Sequence, residues 1–134
     1  MSTLKTSTLS NLAGSKTVPT DTVVDGSAKA WVNFNGTGTV AIRRAFNVSS
    51  ITDNGTGDYT VNFTNAMVDA SYSSVIGAGL GNAAVNWMIC FPNTKGVSNF
   101  IQAPTSSAMR FVLSGDAKST GLDDAQFVNV AIFS

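Results

Sequence analysis

Histidine and glutamate are absent from this 134-residue sequence, and cysteine occurs once, as Cys90. Without histidine, neither a Ser–His nor a Cys–His nucleophile pair can be assembled. A single cysteine rules out an internal disulfide. Set in the apolar run WMICF, Cys90 reads as a core thiol. Acid–base candidates therefore shrink to aspartates, lysines, Tyr59, Tyr72 and Cys90. Charge is also scarce. Eight basic residues face eight acidic ones, all of them aspartates, scattered along the chain. That scatter lacks the clustered basic patch that neutralises phosphates, so nucleic acid is not an expected partner. No polybasic anchor and no apolar run near the roughly 20 residues of a membrane span is present, so neither is a membrane. Residues 1–20 have no apolar core of the kind a signal peptide needs, and the expectation is synthesis in a cytoplasm.

What is abundant is Ser, Thr, Asn and Gly, among short apolar runs. These residues suit strands, turns and uncharged hydrogen-bonding surfaces, and they suit helices poorly. Residues 1–26 read as an arm. Leu4, Leu9 and Leu12 are spaced too irregularly for a helix face or a long strand, and an arm cannot bury them alone. They are expected to pack on the rest of the chain or, preferably, against copies from other chains. Residues 27–134 read as one head domain.

Within the head, alternation predicts strands at 27–34, 39–48 and 59–63, with Ala30, Val32 and Phe34 on one face of the first. The second, read as unbroken, places Val40, Ile42, Arg44, Phe46 and Val48 together, so Arg44 interrupts an apolar face while Arg43 points the other way. A buried arginine needs a carboxylate. Either Arg44 snorkels at a strand end, or an arginine pairs across a subunit boundary with Asp123 or Asp124. The third strand is expected to pair back on the second. Asp53-Asn54-Gly55-Thr56-Gly57-Asp58 is acidic enough to suggest calcium, but it lacks EF-hand spacing and a bidentate Glu, and reads as a hairpin loop.

Further strands are expected at 71–79, 84–91, 97–103, 107–113 and 125–133, with 84–91 central because it is almost wholly apolar. Residues 77–81 do not match a phosphate-cradling glycine motif and read as a loop. The last strand, ending at Phe133, is apolar on both faces, which predicts a central position or a subunit contact. Pro19, Pro92 and Pro104 fall between strands. About eight strands at ten-residue spacing and no helix predict an antiparallel β-sandwich.

No catalytic constellation emerges. Asp123 and Asp124 could serve as paired carboxylates only with a groove between them, and they read as a solvated loop pair. Neither an enzyme nor a cofactor is expected. Binding through aromatic platforms and neutral polar groups fits the composition better. The candidates are the loops 93–96 and 115–124, with Asn93, Lys95 and Asp116, beside Trp87, Tyr72 or Trp31 as platform. Each of those aromatics reads more readily as a core residue, because each falls inside a strand.

The segment 29–63, KAWVNFNGTGTVAIRRAFNVSSITDNGTGDYTVNF, resembles a segment of phage tail-fibre and tail-appendage proteins of the cyanophage type. The phrase STLKTSTLSNLAGS and the closing strand are loosely similar to the shaft-entry segments and C-termini of trimeric fibres. The resemblance implies a virion structural protein, homotrimeric, attached through its arm to a tail, baseplate or fibre. Its head would recognise a host-surface glycan or adapt the recognising fibre; a capsid decoration protein is the alternative. It transfers no ligand or catalytic residue. On this reading Leu4, Leu9, Leu12, Arg43, Arg44, Asp123, Asp124 and Phe133 are the candidate attachment and subunit-contact residues.

Overall fold

A computed structural model describes residues 2–79, 89–92, 103–114 and 122–134. The N-terminal segment forms a small hairpin, β1 (Thr8–Ser10) and β2 (Thr17–Pro19), followed by a seven-residue helix, α1 (Thr20–Gly26). Asn11 holds the hairpin turn: its side chain accepts from Lys16 N at 3.0 Å and donates to Ser15 Oγ at 3.1 Å. Where sequence reasoning expected no helix, α1 is one. It buries none of its residues, and periodic apolar spacing, the signal that marks a helix in sequence, is therefore missing.

The head is an antiparallel β-sandwich. Its strands are β3 (Ala30–Asn35), β4 (Ala41–Phe46), β5 (Val48–Gly55), β6 (Asp58–Phe63), β7 (Ser73–Gly79), β8 (Ile89–Pro92), β9 (Ala108–Ser114) and β10 (Phe127–Phe133). One sheet has the order β4-β3-β10-β7 and the other β5-β6-β9-β8. The inner strands supply the core by simple alternation. Ala30, Val32 and Phe34 come from β3, and Val128, Val130 and Ile132 from β10. Across from them lie Tyr59, Val61 and Phe63 of β6 and Met109, Phe111 and Leu113 of β9. Phe34 joins the two layers, its ring edge-on to Tyr59 at 5.2 Å and to Phe111 at 6.4 Å. Such edge-to-face pairs add roughly 0.5–1.5 kcal/mol each beyond the area they bury.

The expected strands at 27–34, 71–79 and 107–113 are present, Ala30, Val32 and Phe34 share the inward face of the first, and β10 is central, flanked by β3 and β7. The stretch 39–48 is corrected. It is not one strand: β4 ends at Phe46 in one sheet and β5 begins at Val48 in the other. Asn47 makes the crossing in the left-handed region, at φ 53°, which Asn tolerates better than most residues. Its amide Nδ2 donates to the carbonyls of Lys29 and Asn65, each at 3.1 Å, and its Oδ1 accepts from Asn65 N at 2.8 Å. Consequently β6 pairs with β5, not with β4. The reading of 53–58 as a hairpin connection between them is correct.

A second correction concerns Arg44. The β3–β4 register shifts between Asn33 and Phe34, so Arg44 opposes Asn33 while Ile42 opposes Phe34. Arg43 is the extra residue of this bulge, and one inserted residue inverts the alternation beyond it. Ala45 therefore packs on the core, and Arg44 and Phe46 lie outward beside Asn33 and Trp31. Three smaller expectations also change. Gly77 and Gly79 belong to β7 rather than a loop. Pro19 and Pro92 close strands rather than lie between them. Among the described residues, the 89–92 part of the supposed central strand sits at the end of its sheet, where a proline leaves no ladder bond unmade.

Candidate functional site

Of the predicted glycan-contacting residues, Trp87, Asn93, Lys95 and Asp116 lie outside the described residues. The predicted attachment residues fall into three groups. Leu4 and Leu12 are almost fully exposed and Leu9 of β1 is partly so. Arg43, Arg44 and Phe133 lie on the strands of the β4-β3-β10-β7 sheet. Asp123 and Asp124 lie in the segment that leads into β10, at the end of the sandwich.

Asp124 is not half of a solvated pair. Its Oδ1 accepts from the Tyr59 hydroxyl at 2.5 Å and from Gly57 N at 2.7 Å. The same hydroxyl lies 2.9 Å from the Gly36 carbonyl, and Gly36 N donates to the Ala125 carbonyl at 2.8 Å. Three connections, after β3, after β5 and before β10, are thus tied to one buried phenol. Nearby, Asp58 is 4% exposed. It receives Arg110 Nε on Oδ1 at 2.8 Å and Arg110 Nη2 on Oδ2 at 2.5 Å, a two-pronged pair across β6 and β9. The hydrogen bond to Asp58 raises the guanidinium's pKa above its ordinary value. The role of this cluster is to hold the end of the sandwich together. Arg43 does not join it. Its guanidinium donates to the carbonyls of Phe34 (2.9 Å) and Gln126 (2.8 Å) and lies 4.7 Å from the centre of the Phe127 ring. Cation–π contact and two carbonyls thus satisfy a charge for which a carboxylate was expected.

Burial acts strongly on both tyrosines of the chain. It raises the Tyr59 hydroxyl far above the ordinary value, with Asp124 adding to the effect, and pushes Tyr72 up to about 12. Unfolded tyrosine ionises near pH ~10. Above that pH the unfolded chain releases protons that the fold retains, so stability is complete below about pH 10 and falls as pH rises through 12. In a spectrophotometric titration the folded protein is expected to show little tyrosinate until it unfolds, while the guanidinium-denatured chain titrates near pH ~10. Tyrosinate appearing near pH ~10 with the fold intact would refute the buried placement.

The outer faces of the two sheets differ. On the β5-β6-β9-β8 sheet, Asn62 Nδ2 donates to Ser50 Oγ (3.1 Å) and Thr52 Oγ1 (2.9 Å), and Asn54 Nδ2 donates to Thr60 Oγ1 (2.9 Å). These polar groups bond to one another, as on an ordinary polar sheet face. On the β4-β3-β10-β7 sheet, the register aligns two rows across all four strands. One row is Phe46, Trp31, Ala131 and Val75; the next is Arg44, Asn33, Asn129 and Gly77. Phe46 is 55% exposed and Val75 61%. The rows enclose a shallow depression of about 440 Å3 between Trp31, Asn33, Asn129, Gly77 and Val75. Asn33 Nδ2 donates to Asn129 Oδ1 at 2.7 Å.

Trp31 was a possible platform in the sequence but read more readily as core; it stands half-buried on the outer face instead, and Asn33 and Asn129 stand at alternating outward positions. Their adjacency, across 96 residues of chain, had no sequence signal. The fold is that of an antiparallel β-sandwich with one solvated and one aromatic outer face. No family model, no curated protein and no solved structure matches the chain.

Proposed function

We propose that the chain is a virion structural module, a short tail-fibre or tail-appendage protein. Residues 1–26 attach it to a tail, baseplate or fibre, and the sandwich forms the outward head. The head takes part in recognising a host-surface glycan or in adapting the receptor-binding fibre, without catalysis, and the module self-associates as a homotrimer. The observation that carries this reading is the exposed apolar surface of the N-terminal segment. The sandwich closes its own core, whereas Leu4, Leu12, Val23 and Val24 of the N-terminal segment stay exposed. Exposed aliphatic residues on a separate hairpin and short helix are the groups a partner would cover. A closed cyclic arrangement of copies would bury such a segment symmetrically. The resemblance of residues 29–63 to tail-appendage proteins points the same way.

Deleting residues 1–26 tests the proposal. None of the buried core residues lies in that segment, so the truncated head is expected to fold with nearly unchanged stability and to be missing from assembled particles. Incorporation of the truncated chain would overturn the attachment role. Labelling that places the protein on capsid faces, with no staining of host cells, would favour the decoration role instead. Light scattering that finds a stable monomer would remove the trimer.

A further inference from the structure

We infer that the outer face of the β4-β3-β10-β7 sheet is a saccharide-binding site, and that its ligand carries a carboxylate. The inference rests on the proposed glycan-recognising head and names its site and ligand class. Three features of the face carry it.

The first is an unsaturated amide pair. The bond from Asn33 to Asn129 fixes both side chains and uses one donor and one acceptor. Asn33 Oδ1 and Asn129 Nδ2 remain without a further partner among the described residues, on directly paired positions of β3 and β10. Together they match a vicinal diol, whose hydroxyls both donate and accept. The second is Trp31, half-buried on β3 beside this pair, with Val75 across the depression. An indole offers an apolar surface to the C–H face of a sugar while the polar groups set its orientation. At about 440 Å3 the depression is in the range of small-ligand sites. Gly77 opens onto it. A Cβ there would meet nothing within 4 Å, and no left-handed backbone angle demands glycine. The missing side chain leaves room rather than relieving a clash.

The third is charge. None of the four strands contains an acidic residue, and their only charged residues are Arg43 and Arg44. Arg43 is committed to two carbonyls and the Phe127 ring. Arg44 is exposed, directly opposite Asn33, and its guanidinium has no partner among the described residues. A fork of guanidinium donors at the rim of a sugar-sized hollow complements a carboxylate. A neutral saccharide would leave it unused.

Calorimetry on the full chain with oligogalacturonate and oligosialate, each beside its methyl ester, tests the inference. The acids are expected to bind about tenfold more tightly than the esters, and Arg44→Gln to bring the acids to the esters' level. Gly77→Ile, whose Cβ meets no neighbour within 4 Å, is expected to abolish binding of both while thermal unfolding stays where it was. Equal affinity for acid and ester overturns the carboxylate. Binding that survives Gly77→Ile overturns the site and leaves the glycan reading standing. If Gly77→Ile instead disperses an oligomer, the face is a subunit contact and the inference falls. If the wild-type chain binds none of the four probes, the inference also fails. Staining of host cells by labelled protein then decides separately whether glycan recognition fails with it.

Discussion

Gly57→Ala is expected to destabilise the protein by about 3–5 kcal/mol, from left-handed strain of roughly 1–2 kcal/mol and several lost hydrogen bonds near 1 kcal/mol each. Gly57 sits at φ +63°, and a Cβ built there lies 2.7 Å from Asp123 O, 2.8 Å from Asp123 N and 2.8 Å from Leu113 O. All three obstacles are backbone, so no rotamer change relieves them. The chain must separate from two neighbours, and it is bonded to both. Gly57 N donates to Asp124 Oδ1 at 2.7 Å, and Leu113 N donates to the Gly57 carbonyl at 2.7 Å. Displacing Asp124 then removes the acceptor of the buried Tyr59 hydroxyl. Gly38→Ala is the control. Gly38 has nearly the same angle, φ +65°, and nothing within 4 Å, so only the conformational term applies, about 1 kcal/mol. Denaturant midpoints of the two variants should differ severalfold in their shift from wild type. Equal shifts would mean that the junction of Gly57, Leu113 and Asp123 is not closed as described.

Arg110→Met is expected to cost about 3 kcal/mol or more, and more than the double variant Asp58→Asn with Arg110→Met. The single change removes both guanidinium bonds and leaves a carboxylate that is 4% exposed, with Asn54 Nδ2 at 3.3 Å as a remaining donor. Desolvating an unpaired charge dominates that outcome. In the double variant the charge goes too, and the Asn side chain can still meet Asn54. Because the pair is largely shielded from solvent, the loss should change little between low and moderate salt, unlike that of an exposed pair. A chemical denaturation series at two ionic strengths measures both effects. A double variant less stable than Arg110→Met would show that the stranded carboxylate is not what makes the single change costly.

Much of the head was legible from its sequence. In β3, β6, β9 and β10 every second residue is apolar and buried, because a strand's side chains alternate regardless of which strand lies beside it. The 53–58 hairpin was readable for the same local reason: its Asn and Gly residues suit the tight turn that links β5 to β6. The errors arose where one residue altered the geometry of many. Asn47, at φ 53°, carries the chain from one sheet to the other inside what reads as one alternating run. The bulge at Arg43 reverses which of β4's side chains face out. Neither leaves a mark in the pattern of apolar and polar residues, since each is stabilised by partners distant in sequence: Lys29 and Asn65 for Asn47, and Phe34, Gln126 and Phe127 for Arg43.

The candidate site divides in the same way. The sequence by itself determined the all-β class, the inward residues of β3 and β6, and the absence of any histidine-dependent chemistry. Only the tertiary structure decided that Asn33 meets Asn129, that Arg44 stands at their edge, that Gly77 leaves a hollow beside them, and that Asp124 belongs to Tyr59. The reason is physical. Alternation is set by the geometry of a single strand, whereas a surface spanning four strands depends on their order and register, and those follow from how the whole core closes.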